Sequence, residues 1–208
     1  MEEKARYYGR FTSEGPLKKP QYSGDVAAAL AMAASLHRCQ LRKGTTTPYL
    51  AHLLGVTALV WEYAGDEEQA IAALLHDAVE DQGGAPTLER IRLGFGDRVA
   101  GIVEACTDTD EEPKPPWLER KKRYLAHVSD VREDALIVSM ADKLYNVRAI
   151  LTDYRTLGDG VWDRFNAGKD DVLWYYRALV NAFRKRTSGL LLDHLDGAVT
   201  ELEDEVRG

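Results

Sequence analysis

A chain of 208 residues with 45% apolar side chains can bury one sizeable core, so a single domain is the simplest reading. The net charge of −7 argues against a broad nucleic-acid surface, but a local basic cluster or a bound cation still allows a small anionic ligand. No apolar run approaches the ~20 residues that span a bilayer, no secretory signal pattern is visible, and Cys39 and Cys106 lack a C-x-x-C spacing. A cytoplasmic protein with two reduced thiols is therefore expected, with no membrane and no nucleic-acid partner.

In chain order, residues 1–21 (Met1 to Gln21) are polar, charged and broken by Pro16 and Pro20, which predicts an arm preceding a domain over 22–208. Asp25 to Gln40 reads as a helix with Ser23 as a possible N-cap. Pro48 opens a second helix, carrying Leu50, Leu53, Leu54, Val60 and Trp61, that stops near Gly65. Asp66 caps a third helix, which runs on through His76, Asp77, Glu80 and Asp81 until Gly83-Gly84 ends it. Thr87 starts a short helix (Leu88 to Leu93), broken by Gly94-Phe95-Gly96, and another covers Arg98 to Cys106. The segment Thr107 to Pro116 is acidic, holds Pro113, Pro115 and Pro116, and reads as a surface loop. Trp117 to Val128 and Arg132 to Asp153 are helical, Thr156 to Lys169 is irregular, and helices over Asp171 to Arg184 and Leu190 to Val206 close the chain. With no alternating strand pattern and no internal repeat, the expected architecture is all-α, a single-domain helical bundle.

The run Ala72-Ala73-Leu74-Leu75-His76-Asp77-Ala78-Val79-Glu80-Asp81 sets four ionisable groups at the polar end of an apolar stretch. Burying charge costs several kcal/mol unless it is paired or coordinated. His52 and Asp142 pose the same problem, each sitting inside an apolar helical stripe. Taken singly, each has a plain explanation: a hydrogen-bonded core histidine, a partner for Lys143 or Arg148, a solvated helix end for Glu80-Asp81. Together, three helices each place an imidazole or carboxylate where a core residue belongs, which is how helical bundles build metal sites. A donor set of two histidines and two aspartates suits Mn, Fe or Zn better than Ca or Mg.

This His…His-Asp…Asp pattern resembles the HD superfamily of metal-dependent phosphohydrolases. Arg42-Lys43-Gly44, Thr47-Pro48-Tyr49-Leu50-Ala51-His52, the His-Asp-x-x-Glu-Asp tetrad and Ala141-Asp142-Lys143-Leu144-Tyr145-Asn146 narrow the resemblance to the RelA/SpoT-type hydrolase domain and the single-domain small alarmone hydrolases. The resemblance implies an HD-type bundle with one divalent metal ion, usually Mn2+, held by His52, His76, Asp77 and Asp142. It implies that Glu80 and Asp81 orient and deprotonate the attacking water. The implied substrate is a small anionic nucleotide, ppGpp or pppGpp, whose 3′-diphosphate is hydrolysed to pyrophosphate and GDP or GTP. Arg42 and Lys43 would contact phosphate or base, Lys143 the diphosphate, Asn146 the ribose, and Tyr49 would shape the pocket. Between Trp162 and Tyr176 the spacing departs from the family, so no base-reading residue is transferred, and (p)ppApp, NADPH or a nucleoside monophosphate stand as alternative substrates. His37, His127 and His194 are expected to be structural, Glu119 to Arg123 a solvated helix face, and the acidic residues between Asp108 and Glu112 have no assigned role.

Overall fold

The computed structural model describes residues 22–109, 111 and 113–208; the arm expected over 1–21 lies outside them. Helix α1 (Gly24–Leu36) begins where Ser23 accepts a hydrogen bond from the Asp25 amide, the cap its sequence suggests. It stops at Leu36 instead of Gln40, because the chain turns there. The Gln40 amide bonds the His37 carbonyl (3.0 Å), and the His37 ring nitrogen Nδ1 lies 2.7 Å from Gln40 Oε1. Helix α2 (Tyr49–Glu62) follows Pro48. Its exit uses Ala64, not Gly65, for the left-handed residue (φ 68°). Gly65 serves close approach instead, since a Cβ there would sit 2.4 Å from Val60 Cγ1.

Helix α3 (Glu67–Leu75) opens with a reciprocal capping box between Asp66 and Gln69. Arg98 fastens that end, reaching Asp66 (2.7 Å), Glu68 (2.6 Å) and Asp134 (3.0 Å). Helix α4 (Ala78–Asp81) is a single turn, and α5 (Gly84–Cys106) is bent at Gly96, whose φ of 90° keeps the two expected helical pieces distinct. Helix α6 (Trp117–Val128) leads through a short 3-10 turn (Glu133–Ala135) into α7 (Leu136–Leu157). The segment expected to be irregular contains a 3-10 stretch (Gly158–Arg164) that buries Val161 and Trp162; helices α8 (Lys169–Arg184) and α9 (Leu190–Arg207) complete the bundle. Among the described residues the only strand-like pairing is an isolated bridge between Leu41 and Pro48, and no helix is long and apolar enough to cross a membrane.

Helix α7 is the axis of the bundle, packed against α2, α3, α8 and α9. Its Val138, Ala141, Leu144 and Val147 are fully buried, which makes Asp142 an exception in an apolar wall. The α2–α7 contact is unusually close: a Cβ on Gly55 would fall 2.0 Å from the Tyr145 ring. Helix propensity alone favours alanine over glycine by about 1 kcal/mol, whereas forcing a methyl into a packed interface costs ~1–3 kcal/mol. The Gly55→Ala variant is therefore expected to melt several degrees below wild type in a thermal scan; a higher melting temperature would show that the contact is not tight.

Candidate active site

The close α2–α7 approach puts His52, one turn before Gly55, opposite Asp142, one turn before Tyr145 (strictly, three residues in each case). Both are buried, at 1% and 7% exposure. His76 and Asp77 arrive differently from the continuous helix expected. His76 caps the C-terminal end of α3 and Asp77 the N-terminal end of α4, so the helix breaks at this pair. Consecutive residues on one α-helix point about 100° apart and do not face the same partner. The break removes that limit, and His76 Nε2 lies 3.0 Å from Asp77 Oδ2.

The four side chains meet at one point. His52 Nε2 is 3.3 Å from Asp142 Oδ1 and 3.4 Å from Asp77 Oδ2, and His76 Nε2 is 3.7 Å from Asp142 Oδ1. Donor atoms of His52, His76 and Asp142 all lie within 4.8 Å of one another, a spacing that fits a divalent cation. The chemistry of the donors gives the same answer. His76 Nδ1 lies 2.8 Å from the Ala73 carbonyl, which fixes its proton on Nδ1 and turns the Nε2 lone pair towards the carboxylates. Lone pairs facing carboxylate oxygens in a buried pocket repel unless a cation or a proton lies between them. Accordingly, burial pushes the His76 imidazole down, but Asp77 and Asp142 outweigh it and hold its pKa well above the usual histidine range. Burial pushes the Asp77 and Asp142 carboxyls up, and their cationic neighbours, chiefly His76 and Lys143 respectively, hold both well below the usual range. The residues present fit a divalent metal.

Around this cluster lie the other expected residues. Glu80 Oε1 pairs with Lys114 Nζ (3.0 Å), and the Asp108 amide approaches Glu80 Oε2 (3.4 Å). Burial raises the Glu80 carboxyl above the usual glutamate range, with Lys114 opposing. Asp81 accepts from Gln40 Nε2 (2.8 Å) and lies 3.7 Å from Lys114 Nζ. The Tyr49 hydroxyl donates to Asp77 Oδ2 (2.7 Å), and its ring stacks on His37 at 5.2 Å. Lys143 Nζ sits 2.6 Å from Asp142 Oδ2, while Asn146 Nδ2 donates to Asp142 Oδ1 and Asn146 Oδ1 accepts from Arg42 Nη2 (3.0 Å). Lys43 donates to Asn166 (2.9 Å) from a loop that Gly44 (φ 71°) folds against Arg164.

Arg42, Lys43, Tyr49, Lys143 and Asn146 all line one cavity of about 390 Å³. The sequence pattern missed two further lining residues, Arg120 and Lys121. The Glu119–Arg123 run is not uniformly solvated: Arg123 is exposed, but Arg120 and Lys121 turn inward, line the cavity and pair with Asp108. Asp108, in the loop expected at the surface, has a side chain only 8% exposed. The signal was present. Trp117, Tyr124 and Val128 mark the inward stripe of α6, and Arg120 and Lys121 fall on it just as His52 falls on that of α2. His127 and His194 are exposed, and His37 is buried under Tyr49, a supporting contact.

A sequence profile of the HD domain family matches residues 29–173. The chain is 41% identical over 126 residues to the Xenopus tropicalis protein MESH1, named guanosine-3′,5′-bis(diphosphate) 3′-pyrophosphohydrolase, covering 59% of this chain and 68% of that one. The Homo sapiens protein of the same name is 41% identical over 129 residues, covering 61% and 69%. A solved structure of a metazoan orthologue of SpoT, described as hydrolysing ppGpp, superposes with a TM-score of 0.73 at 26% identity, over 88% of this chain and 98% of its own. The histidine–aspartate cluster at the meeting of α2, α3 and α7 thus lies within the matched span, and the chain belongs to the HD domain family.

Proposed function

We propose that the protein is a metal-dependent pyrophosphohydrolase that cleaves the 3′-diphosphate of ppGpp and pppGpp, releasing pyrophosphate with GDP or GTP. The observation that carries this reading is the join between two sites. A cavity walled by basic and polar side chains opens beside the histidine–aspartate cluster, and its lining residues Tyr49, Lys143 and Asn146 bond Asp77 and Asp142 directly. The names borne by the relatives agree with it. Two unpaired cysteines fit a cytoplasmic enzyme.

His52, His76, Asp77 and Asp142 would hold the cation, which we read as Mn2+. When bound, it supplies Lewis acidity, lowering the pKa of water and offsetting charge on phosphoryl oxygens. The chain's own groups do the rest. Tyr49 fixes the Asp77 carboxylate, and Lys143 and Asn146 fix that of Asp142. Asp81, held by Gln40, orients the water, and a Glu80 carboxylate oxygen takes its proton. The water oxygen bonds the phosphorus attached to O3′, the O3′–P bond breaks, and the departing O3′ takes up a proton from solvent as Glu80 releases the one it took from the water. Arg42 and Lys43 anchor the nucleotide, since a guanidinium both stacks on a base and forks onto phosphate.

Incubation with Mn2+ and ppGpp is expected to release pyrophosphate, at a higher kcat/KM than for (p)ppApp, NADPH or nucleoside monophosphates. Orthophosphate alone, or a preference for a monophosphate, would overturn the assignment. Glu80→Gln should lower kcat by about 10² or more with little change in KM; wild-type turnover would remove Glu80 from the mechanism. The elevated pKa of Glu80 also sets a sign for pH dependence. The base works only when ionised, so kcat/KM falls as pH drops through that raised value. Lys114 pulls Glu80 down, so Lys114→Ala is expected to move this acid limb to higher pH. A limb that stays in place, or moves to lower pH, would dissociate it from Glu80.

A further inference from the structure

The inward face of α6 carries chemistry that the ligand cluster does not use. Arg120 and Lys121 both pair with the same oxygen, Asp108 Oδ2, the lysine at 2.8 Å. The other Asp108 oxygen is buried without a hydrogen-bond partner. Two cations on one carboxylate leave one positive charge uncompensated. A second comes from Lys143, because the Asp142 charge is shared with the cation site. All three cations line the same cavity, with side chains no more than 17% exposed, in a protein whose net charge is −7. Burial pushes the Lys121 ammonium below the usual lysine range and Lys143 adds to that shift, with Asp108 opposing. These cations therefore repel one another in the absence of an anion. The Tyr175 hydroxyl, on the same cavity wall, is likewise buried without a hydrogen-bond partner, and Lys121 Nζ lies 5.1 Å from its ring centre.

Position decides which anion they serve. The backbone amide of Asp108 approaches Glu80, so this cluster lies on the side where the water is activated. Arg42 and Lys43 bond Asn146 and Asn166, on the nucleotide side. We propose that Arg120 and Lys121, held in place by Asp108, form the seat for the outer phosphate of the substrate's 3′-diphosphate, and so select a diphosphate ester over a monophosphate. The inference rests on the pyrophosphohydrolase reading and deepens it. The phosphorus under attack sits by the histidine–aspartate cluster and Lys143. The phosphate beyond it reaches the α6 cations, which exchange part of their contact with Asp108 for phosphoryl oxygens.

The test uses inorganic pyrophosphate and orthophosphate as probes, titrated calorimetrically into the Mn2+-loaded full chain. Wild type is expected to bind pyrophosphate more tightly than orthophosphate. Lys121→Gln and Arg120→Gln should each weaken pyrophosphate about tenfold or more while moving orthophosphate less than about twofold. Lys121→Arg, which keeps the charge, should restore the preference, separating the seat from a merely structural role. The ppGpp KM should rise in the glutamine variants. Unchanged pyrophosphate binding in folded variants, or equal losses for both anions, would overturn the proposal. If wild type releases no pyrophosphate from ppGpp yet prefers pyrophosphate through Lys121, the function fails and the seat stands.

Discussion

The contact of Gly55 with the Tyr145 ring sets the distance between α2 and α7, and the site depends on that distance. With a side chain at position 55, the helices would stand further apart and His52 would not reach within 3.3 Å of Asp142. The same closeness creates an electrostatic demand. Two carboxylates and two imidazoles converge at the centre of an apolar bundle, where isolated charge is costly. Lys143 answers part of that demand by holding the outer oxygen of Asp142, while Tyr49 and Asn146 bond the inner oxygens, Asp77 Oδ2 and Asp142 Oδ1. The inner faces point at one another and at histidine nitrogens, an arrangement that a divalent cation stabilises.

Everything beyond the cluster is arranged by two local departures from regular helix. The break between α3 and α4 lets adjacent residues serve one centre, and the single turn that follows carries Glu80 and Asp81 to its edge. The bent loop at Gly44 folds Arg42 and Lys43 onto the rim of the cavity, against Arg164. An acidic protein thereby carries a cavity of opposite sign to its net charge, suited to a small anionic ligand. Selectivity for such a ligand comes from local focusing of the field, which net charge does not report.

Much of this was legible in the sequence for one physical reason. A polar residue inside an apolar stripe is an anomaly that only function or pairing explains, and His52, His76 and Asp142 are all of that kind. Arg42, Lys43, Tyr49, Lys143 and Asn146 came from the resemblance, and they share one cavity. The break at His76-Asp77 was not legible, because Ala-Leu-Leu before it and Ala-Val-Glu after it both favour helix; the packing of α3 and α4 against other helices decides it. Arg120 and Lys121 were hidden by their neighbours, since a run of five charged residues reads as a solvated face until the stripe of Trp117, Tyr124 and Val128 is traced through it. Asp108 was hidden by its proline-rich loop. Gly55 carried no signal at all, for a glycine that admits a facing ring looks the same as one that merely weakens a helix.

The central claim is that α2, the α3–α4 break and α7 together build a single cation site. Titration of the metal-free chain with Mn2+, followed by electron paramagnetic resonance of the free ion, tests it most directly. The account predicts one tightly bound ion per chain, with that binding lost in each of the His52→Ala, His76→Ala and Asp142→Ala variants, taken from three separate helices. Tight binding that survives any of these three substitutions, or no saturable binding by the wild-type chain, would contradict it.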